Sequence, residues 1–220
     1  MRVALIPMKD LAGAKMRLAD VLERSERAEL ALAMLTDVIA ACKESGCFDD
    51  VAVVTADSEV CWHARELGAK PLAEPATLSG LNAGLTFGQR YIGRRMGAGE
   101  LVILPADVPL ARADDVRSVV EALAPDGARA VIVRARDGGT NALAMRPVEA
   151  IAMRFGRNSA DAHIAEARAA GIDAVELAIE RLQFDVDAPE DVAALASLAV
   201  GAATARWLAA RAHLAAERSG

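Results

Sequence analysis

Asp107 stands between two prolines at the end of an apolar run, in Leu104-Pro105-Ala106-Asp107-Val108-Pro109-Leu110. A carboxylate presented in this way can hold a cation beside a phosphate ligand. The same residue types also suit an ordinary turn. Asp185 and Asp187 lie two apart in Phe184-Asp185-Val186-Asp187-Ala188-Pro189, so in extended chain both side chains point to one face. Like charges that close are costly unless a cation or solvent intervenes. Magnesium takes oxygen ligands from one or two carboxylates plus phosphates. Asp187 equally suits the cap of a helix that opens at Pro189, since proline is favoured at the first helical position. The opposite charge comes from the segment Met8 to Leu18, where Lys9, Lys15 and Arg17 flank the small residues Ala12, Gly13 and Ala14. Small residues let backbone amides approach a phosphate chain while the cations neutralise it. The chain has only four lysines among its 25 basic residues, and two of them fall here, which favours a point-charge role at phosphate over chance placement. The segment is not a Walker motif, and a solvated loop could have the same composition.

These groups need a frame that brings them together. Leu101 to Leu104 is a continuous apolar run, the mark of a strand buried on both faces of a parallel sheet, which puts Asp107 beyond a strand's carboxyl end. Similar runs predict strands at 3–7, 51–55, 70–73, 130–134 and 173–177. Between them, helical spacing of Leu30, Met34, Leu35, Val38, Ile39 and Cys42 predicts a helix from Glu26 to about Ser45, capped by Ser25 and ended by Gly46. Further helices are expected at 59–67, 83–96 and 114–123, and from Pro189 onward. The alternation predicts an α/β fold with a mostly parallel, right-handed wound sheet and helices on both faces. Gly80 and Asn82 lie near a helix start, where they could meet a base or ribose, although Asn there is also a common cap. Asp137-Gly138-Gly139-Thr140-Asn141 is expected to be a flexible polar loop. Ser159, preceded by Arg154 and Arg157, is expected to cap the next helix and offer its first amides to an anion.

Composition narrows the class. With 220 residues, 54% of them hydrophobic, the chain suits one domain with a well-buried core. A net charge of −6 without any basic run argues against a nucleic-acid surface. Cys42, Cys47 and Cys61 match neither a disulfide framework nor a zinc site, so a reducing cytoplasm fits best. Met1-Arg2 leads straight into the first strand, with no signal-peptide core. The uncharged stretch from Val192 to Thr204 falls short of the roughly 20 apolar residues a membrane span needs. From Glu190 to about Ala216 the chain is Ala-rich and helix-prone, broken at Gly201, and its end suits either a docked helix or a partner contact.

Six segments together are more specific than any one of them. They are PMKDLAGAKMRL at 7–18, Glu74 to Asn82, LPADVPL at 104–110, GGTNAL at 138–143, RFGRNSADAH at 154–163 and FDVDAPEDV at 184–192. In order and spacing the set resembles the phospholactate and phosphoenolpyruvate guanylyltransferases, which act in assembling the deazaflavin coenzyme F-420. Those enzymes are relatives of nucleotidyltransferases with a Rossmann-like, nucleotide-diphospho-sugar transferase-like fold. The resemblance covers residues 1–198 as a single nucleotidyltransferase domain and leaves 199–220 as a C-terminal helical extension. It implies transfer of GMP from GTP to phosphoenolpyruvate, 2-phospho-L-lactate or 3-phosphoglycerate, without choosing among them. Lys15, with Lys9 and Arg17, would bind the triphosphate, and Lys15 and Asp107 would be the catalytic pair. Asp107, Asp185 and Asp187 would hold magnesium. Gly80 and Asn82 would lie against guanine or ribose, and Thr140, Gly156 and Ser159 would contact the acceptor. Met16 stands where the family commonly has Ser, and Ala188 where it commonly has Thr. The expected partners are therefore GTP and a small phosphorylated acid, with no nucleic acid and no membrane, and a homo-oligomer is left open. Two rivals remain: a nucleotidyltransferase of another acceptor, of the molybdopterin or methylerythritol phosphate type, and a non-catalytic nucleotide-binding regulator on the same fold.

Overall fold

The computed structural model describes residues 1–123 and 127–219. Seven strands form one sheet: β1 (Arg2–Pro7), β2 (Asp50–Thr55), β3 (Lys70–Ala73), β4 (Glu100–Ile103), β5 (Arg129–Arg134), β6 (Thr140–Arg146) and β7 (Asp173–Leu177). Their order across the sheet is β3-β2-β1-β4-β6-β5-β7. All pairings are parallel except those of β6, which runs antiparallel to both β4 and β5. That reversal follows from chain length, because residues 135–139 can make a hairpin but cannot make the crossover a parallel neighbour needs. Thr140 and Asn141 are thus the first residues of a buried strand and not part of a flexible loop.

The helices are α1 (Arg24–Ser45), α2 (Ser58–Glu66), α3 (Leu81–Arg95), α4 (Ala113–Glu121), α5 (Ser159–Ala169), α6 (Glu180–Gln183), α7 (Pro189–Leu195) and α8 (Ala202–Ser219). The period-2 alternation of β1 shows how they clothe both faces: Ala4 and Ile6 enter one core with α1, while Val3 and Leu5 enter the other with α3. A third, smaller cluster joins Leu18, Leu30 and Met34 to Phe184, Val186 and Leu195. Burial of that cluster ties the first loop to the 184–187 segment.

Several caps differ from expectation, each because a neighbouring group competes better. α1 starts at Arg24, with Glu23 at its cap and the Glu26 carboxylate accepting from the Glu23 amide at 2.8 Å, so Ser25 lies inside the helix. α5 is entered through Asn158 at φ 53°, and Ser159 is its first helical residue, not its cap. α7 is capped at Ala188, and the Asp191 carboxylate accepts from the amides of Asp187 and Ala188 at 2.9 and 2.8 Å. Asp187 is relieved of capping, and its side chain points elsewhere. α8 packs along α1, and its first turn is closed by Asp37, which accepts from Ala203 and Thr204 at 2.8 and 2.9 Å. Among the described residues no helix is long and apolar enough to cross a membrane.

Candidate active site

The loop after β1 is held from three sides before it presents any charge. Asp57, at the end of β2, accepts from the Leu11 amide at 2.9 Å, Asp10 accepts from Gly13 at 2.7 Å, and the buried Arg27 guanidinium donates to the carbonyls of Leu22 and Ala14. At its crest Lys15 takes the left-handed conformation at φ 48°. A non-glycine residue seldom sits there unless its surroundings over-determine it.

What over-determines Lys15 is charge. Its side chain is only 12% exposed, and Nζ lies 2.6 Å from Asp107 Oδ2 and 3.3 Å from Asp187 Oδ1. Burial works against the ammonium, but attraction and hydrogen bonding from Asp107 and Asp187 outweigh it and raise its pKa. Arg17, more exposed, reaches Asp187 at 3.4 Å. The two acidic segments are stitched by the backbone, with the Val186 amide donating to the Asp107 carbonyl at 3.1 Å. Asp185, between them, has its pKa pushed up to about 6, first by burial and then by repulsion from Asp107. An opposing hydrogen bond from Asn141 Nδ2, at 3.2 Å, holds the Asp185 carboxylate in place.

A second cluster starts one residue away on β6. Ser159 Oγ and Thr140 Oγ1 are 2.9 Å apart, His163 Nδ1 is 3.0 Å from Thr140 Oγ1, and the Arg154 amide donates to His163 Nε2 at 3.0 Å. Successive strand residues face opposite sides, so β6 delivers Thr140 to this cluster and Asn141 to Asp185. Gly156, at φ 139°, is exposed at its edge. On the β3 side, Gly80 is the cap of α3 at φ 89°. Asn82 neither caps that helix nor keeps its amide free: Nδ2 donates to the Phe155 carbonyl and Oδ1 accepts from the Phe155 amide, both at 2.8 Å.

The expected residues therefore fall into groups. Lys15, Arg17, Asp107, Asp185 and Asp187 converge, and Thr140, Ser159 and Gly156 form the adjoining set. Lys9 is exposed and, among the described residues, makes no ion pair with the cluster. Asn141 and His163 were not singled out as site residues from sequence, although both lie inside segments that carry the resemblance. Arg136 was also missed; it stacks 4.1 Å over Phe184 and pairs with Asp191 at 2.9 Å, bracing the segment that carries Asp185. Among the described residues no three acidic, His or Cys groups stand in ready metal-coordinating geometry. Lys15 fills the space between the carboxylates instead.

A sheet of this order with its charged cluster beyond the strand ends defines a nucleotide-diphospho-sugar transferase-like α/β protein. A protein described as a nucleotide-diphospho-sugar transferase from Desulfovibrio desulfuricans G20 has the same fold, with a TM-score of 0.75 over 97% of this chain and 96% of that one at 17% identity. The chain itself belongs to the family of CofC-like guanylyl transferases, whose family model matches residues 1–210 and so runs past 198 into α8. It is 40% identical to the phosphoenolpyruvate guanylyltransferase of Sphaerobacter thermophilus, over 92% of this chain and 96% of that protein. It is 33% identical to the 3-phospho-D-glycerate guanylyltransferase of Phenylobacterium zucineum, over 94% and 95% respectively.

Proposed function

We propose that the protein transfers GMP from GTP to a three-carbon phosphocarboxylic acid, in the route to coenzyme F-420. The activities named for its relatives favour phosphoenolpyruvate and 3-phosphoglycerate as acceptors. The observation that carries the reading is the convergence of Lys15 with Asp107, Asp185 and Asp187. An acceptor phosphate oxygen attacks the α-phosphorus of GTP; the new P–O bond forms as the bond to the β-phosphate breaks and pyrophosphate leaves. The acceptor's phosphate has a second pKa of about 6, so it arrives largely ionised and needs no general base. The obstacle is bringing two polyanions together, which demands cations placed where charge develops.

Lys15 answers that demand directly. Its ammonium is held by carboxylates in this structure, and incoming phosphate oxygens replace them as its partners. Asp107 and Asp185 would be the carboxylates that hold magnesium. Their fit rests on the two acidic segments being joined by the Val186 amide at the Asp107 carbonyl and on the hard oxygen donors they offer. Bound there, magnesium supplies charge neutralisation at the transferring phosphate. Arg17 and Lys9 add attraction at the loop's rim, Gly80 lies toward the base, and Thr140, Gly156 and Ser159 receive the acceptor. The free cysteines accord with a reducing cytoplasm.

A panel of GTP, ATP, CTP and UTP against phosphoenolpyruvate, 2-phospho-L-lactate and 3-phosphoglycerate, read by pyrophosphate release and product mass, tests the reading. GTP with one of the three acids should give a guanylyl anhydride. No pyrophosphate with any combination would leave the non-catalytic regulator as the better account.

A further inference from the structure

The hydroxyls of Thr140 and Ser159 have a hydrogen-bonding balance that His163 decides. His163 is fully buried on α5, packed edge-on against Phe155 with ring centroids 4.8 Å apart. Burial lowers its pKa to about 4, so the ring is neutral at pH 7 and carries one proton. The Arg154 amide can only donate, and it points at Nε2 from 3.0 Å. Nε2 must therefore be the lone-pair nitrogen, and the proton sits on Nδ1, 3.0 Å from Thr140 Oγ1.

The two hydroxyls bring two protons of their own. One is consumed in the 2.9 Å link between Ser159 and Thr140. Because His163 donates into the pair and takes nothing from it, one hydroxyl proton is left over, whichever way the link runs. Among the described residues neither hydroxyl has a further partner to accept that proton. The opposite tautomer would reverse the balance: Nδ1 would take the Thr140 proton, the link would take the other, and the pair would present only lone pairs. A pair with a spare proton attracts an anionic oxygen, and a pair with none repels it.

We propose that His163 is a positioning residue that fixes the Thr140–Ser159 pair as a hydrogen-bond donor for an anionic oxygen of the acceptor. The inference rests on the functional reading above, in which this pair receives the phosphorylated acid. It adds that acceptor affinity is set by a buried ring that does not touch the acceptor. The ring acts through its tautomer, which a main-chain amide holds fixed.

Two nearly isosteric variants test it, since both lose the same ring packing against Phe155. His163→Asn can still donate to Thr140, whereas His163→Asp donates only while its carboxyl is protonated. The charged groups acting on this position are Arg154 and Glu166, which are paired with each other at 2.7 Å in the unaltered protein. They are the same in both variants, so they cancel in the comparison.

With phosphoenolpyruvate and 3-phosphoglycerate as acceptors, His163→Asn should raise KM for the acid only a few-fold. His163→Asp should raise it about 10-fold or more above His163→Asn at pH 8, the loss expected when a donor to a charged group is withdrawn. That difference should shrink as pH falls and the introduced carboxyl takes up its proton. KM for GTP should stay unchanged in both variants, with thermal unfolding confirming that both are folded. Identical acceptor KM values and pH profiles for the two variants would overturn the proposal, as would a GTP KM that moves as far as the acceptor KM. If one variant does not fold, the other is compared with Thr140→Val, which removes the hydroxyl itself; equal acceptor KM for His163→Asn and Thr140→Val, or an acceptor KM for His163→Asp that equals the unaltered protein's at pH 8, would likewise refute the inference. Failure of the unaltered protein to release pyrophosphate with any acid would remove the functional reading and this inference together. Normal turnover with matching variants would remove only the inference.

Discussion

At the scale of single residues, the site is held in a state that favours binding over stability. Asp185 keeps its proton up to about pH 6 in the folded chain but releases it near 3.8 when free of its surroundings. Between those values the folded state binds more protons than the unfolded state, so stability falls as pH rises through the window, and the full penalty is present above pH 6. Asp185→Asn removes the titrating group and keeps an oxygen to accept from Asn141. It should stabilise the protein at pH 8 by on the order of 1 kcal/mol, after allowance for solvent screening of a part-exposed group. That corresponds to a rise of roughly 2–4 °C in Tm for a chain of this size. The gain should vanish at pH 4, where the wild-type carboxyl is protonated in the fold. On the proposed reading, turnover should fall by about 100-fold or more in Lys15→Met, which loses a cation at the transferring phosphate, and likewise in Asp107→Asn and Asp185→Asn, which would lose the carboxylates proposed to hold magnesium. Thermal scans at the two pH values alongside steady-state rates check both halves. A fully active Lys15→Met would contradict the role given to its ammonium.

At the scale of elements, the C-terminal helix is fastened by a contact that sequence proximity does not suggest. Asp37, on the buried side of α1, closes the first turn of α8 from 166 residues away along the chain. The fit is tight, because a methyl group at Gly201 would overlap the Asp37 carboxyl. Asp37→Ala should cost about 1–2 kcal/mol, the usual loss for a helix cap. Gly201→Ala should destabilise in the same direction, since the cap must shift to admit the methyl. Neither change touches the charged cluster, so Tm should fall while KM for GTP stays put; a change in KM without a change in Tm would show that α8 serves the site and not the fold. Asn82 works similarly across elements. Its two hydrogen bonds to Phe155 tie α3, on the Gly80 side, to the segment that leads into α5 and the acceptor set.

At the scale of the whole molecule, an acidic protein of net charge −6 must draw two polyanionic substrates to one end of its sheet. Magnesium with GTP should therefore raise Tm more than either alone. A chelator should remove both that increment and pyrophosphate release, and Asp107→Asn should lack the increment altogether; a full increment in that variant would place the ion elsewhere. The strand runs at 51–55, 70–73 and 173–177, the long α1 helix ended by Gly46, and the acidic segments beyond Leu104 and Phe184 were all legible in the chain, because apolar period and charge are local properties. The antiparallel β6 was not, since polar Thr140 and Asn141 read as part of the preceding loop, and the short 135–139 link dictates a reversal only once the two flanking strands are known to pair. The caps at Ser25 and Ser159 were misassigned, and the choice for Asp187 between cap and site was left open, because several polar residues near each helix start could do the work; their competition is settled only when neighbours such as Glu26 and Asp191 take their places. Fold class, family and the inventory of charged groups were thus written in the chain. Which of those groups meet became visible only in the folded molecule: Lys15 with Asp107 across 92 residues, Asn141 with Asp185, and His163 with Thr140. Electrostatics and hydrogen bonding act over a few ångströms of space, and separation along the chain does not reveal that distance.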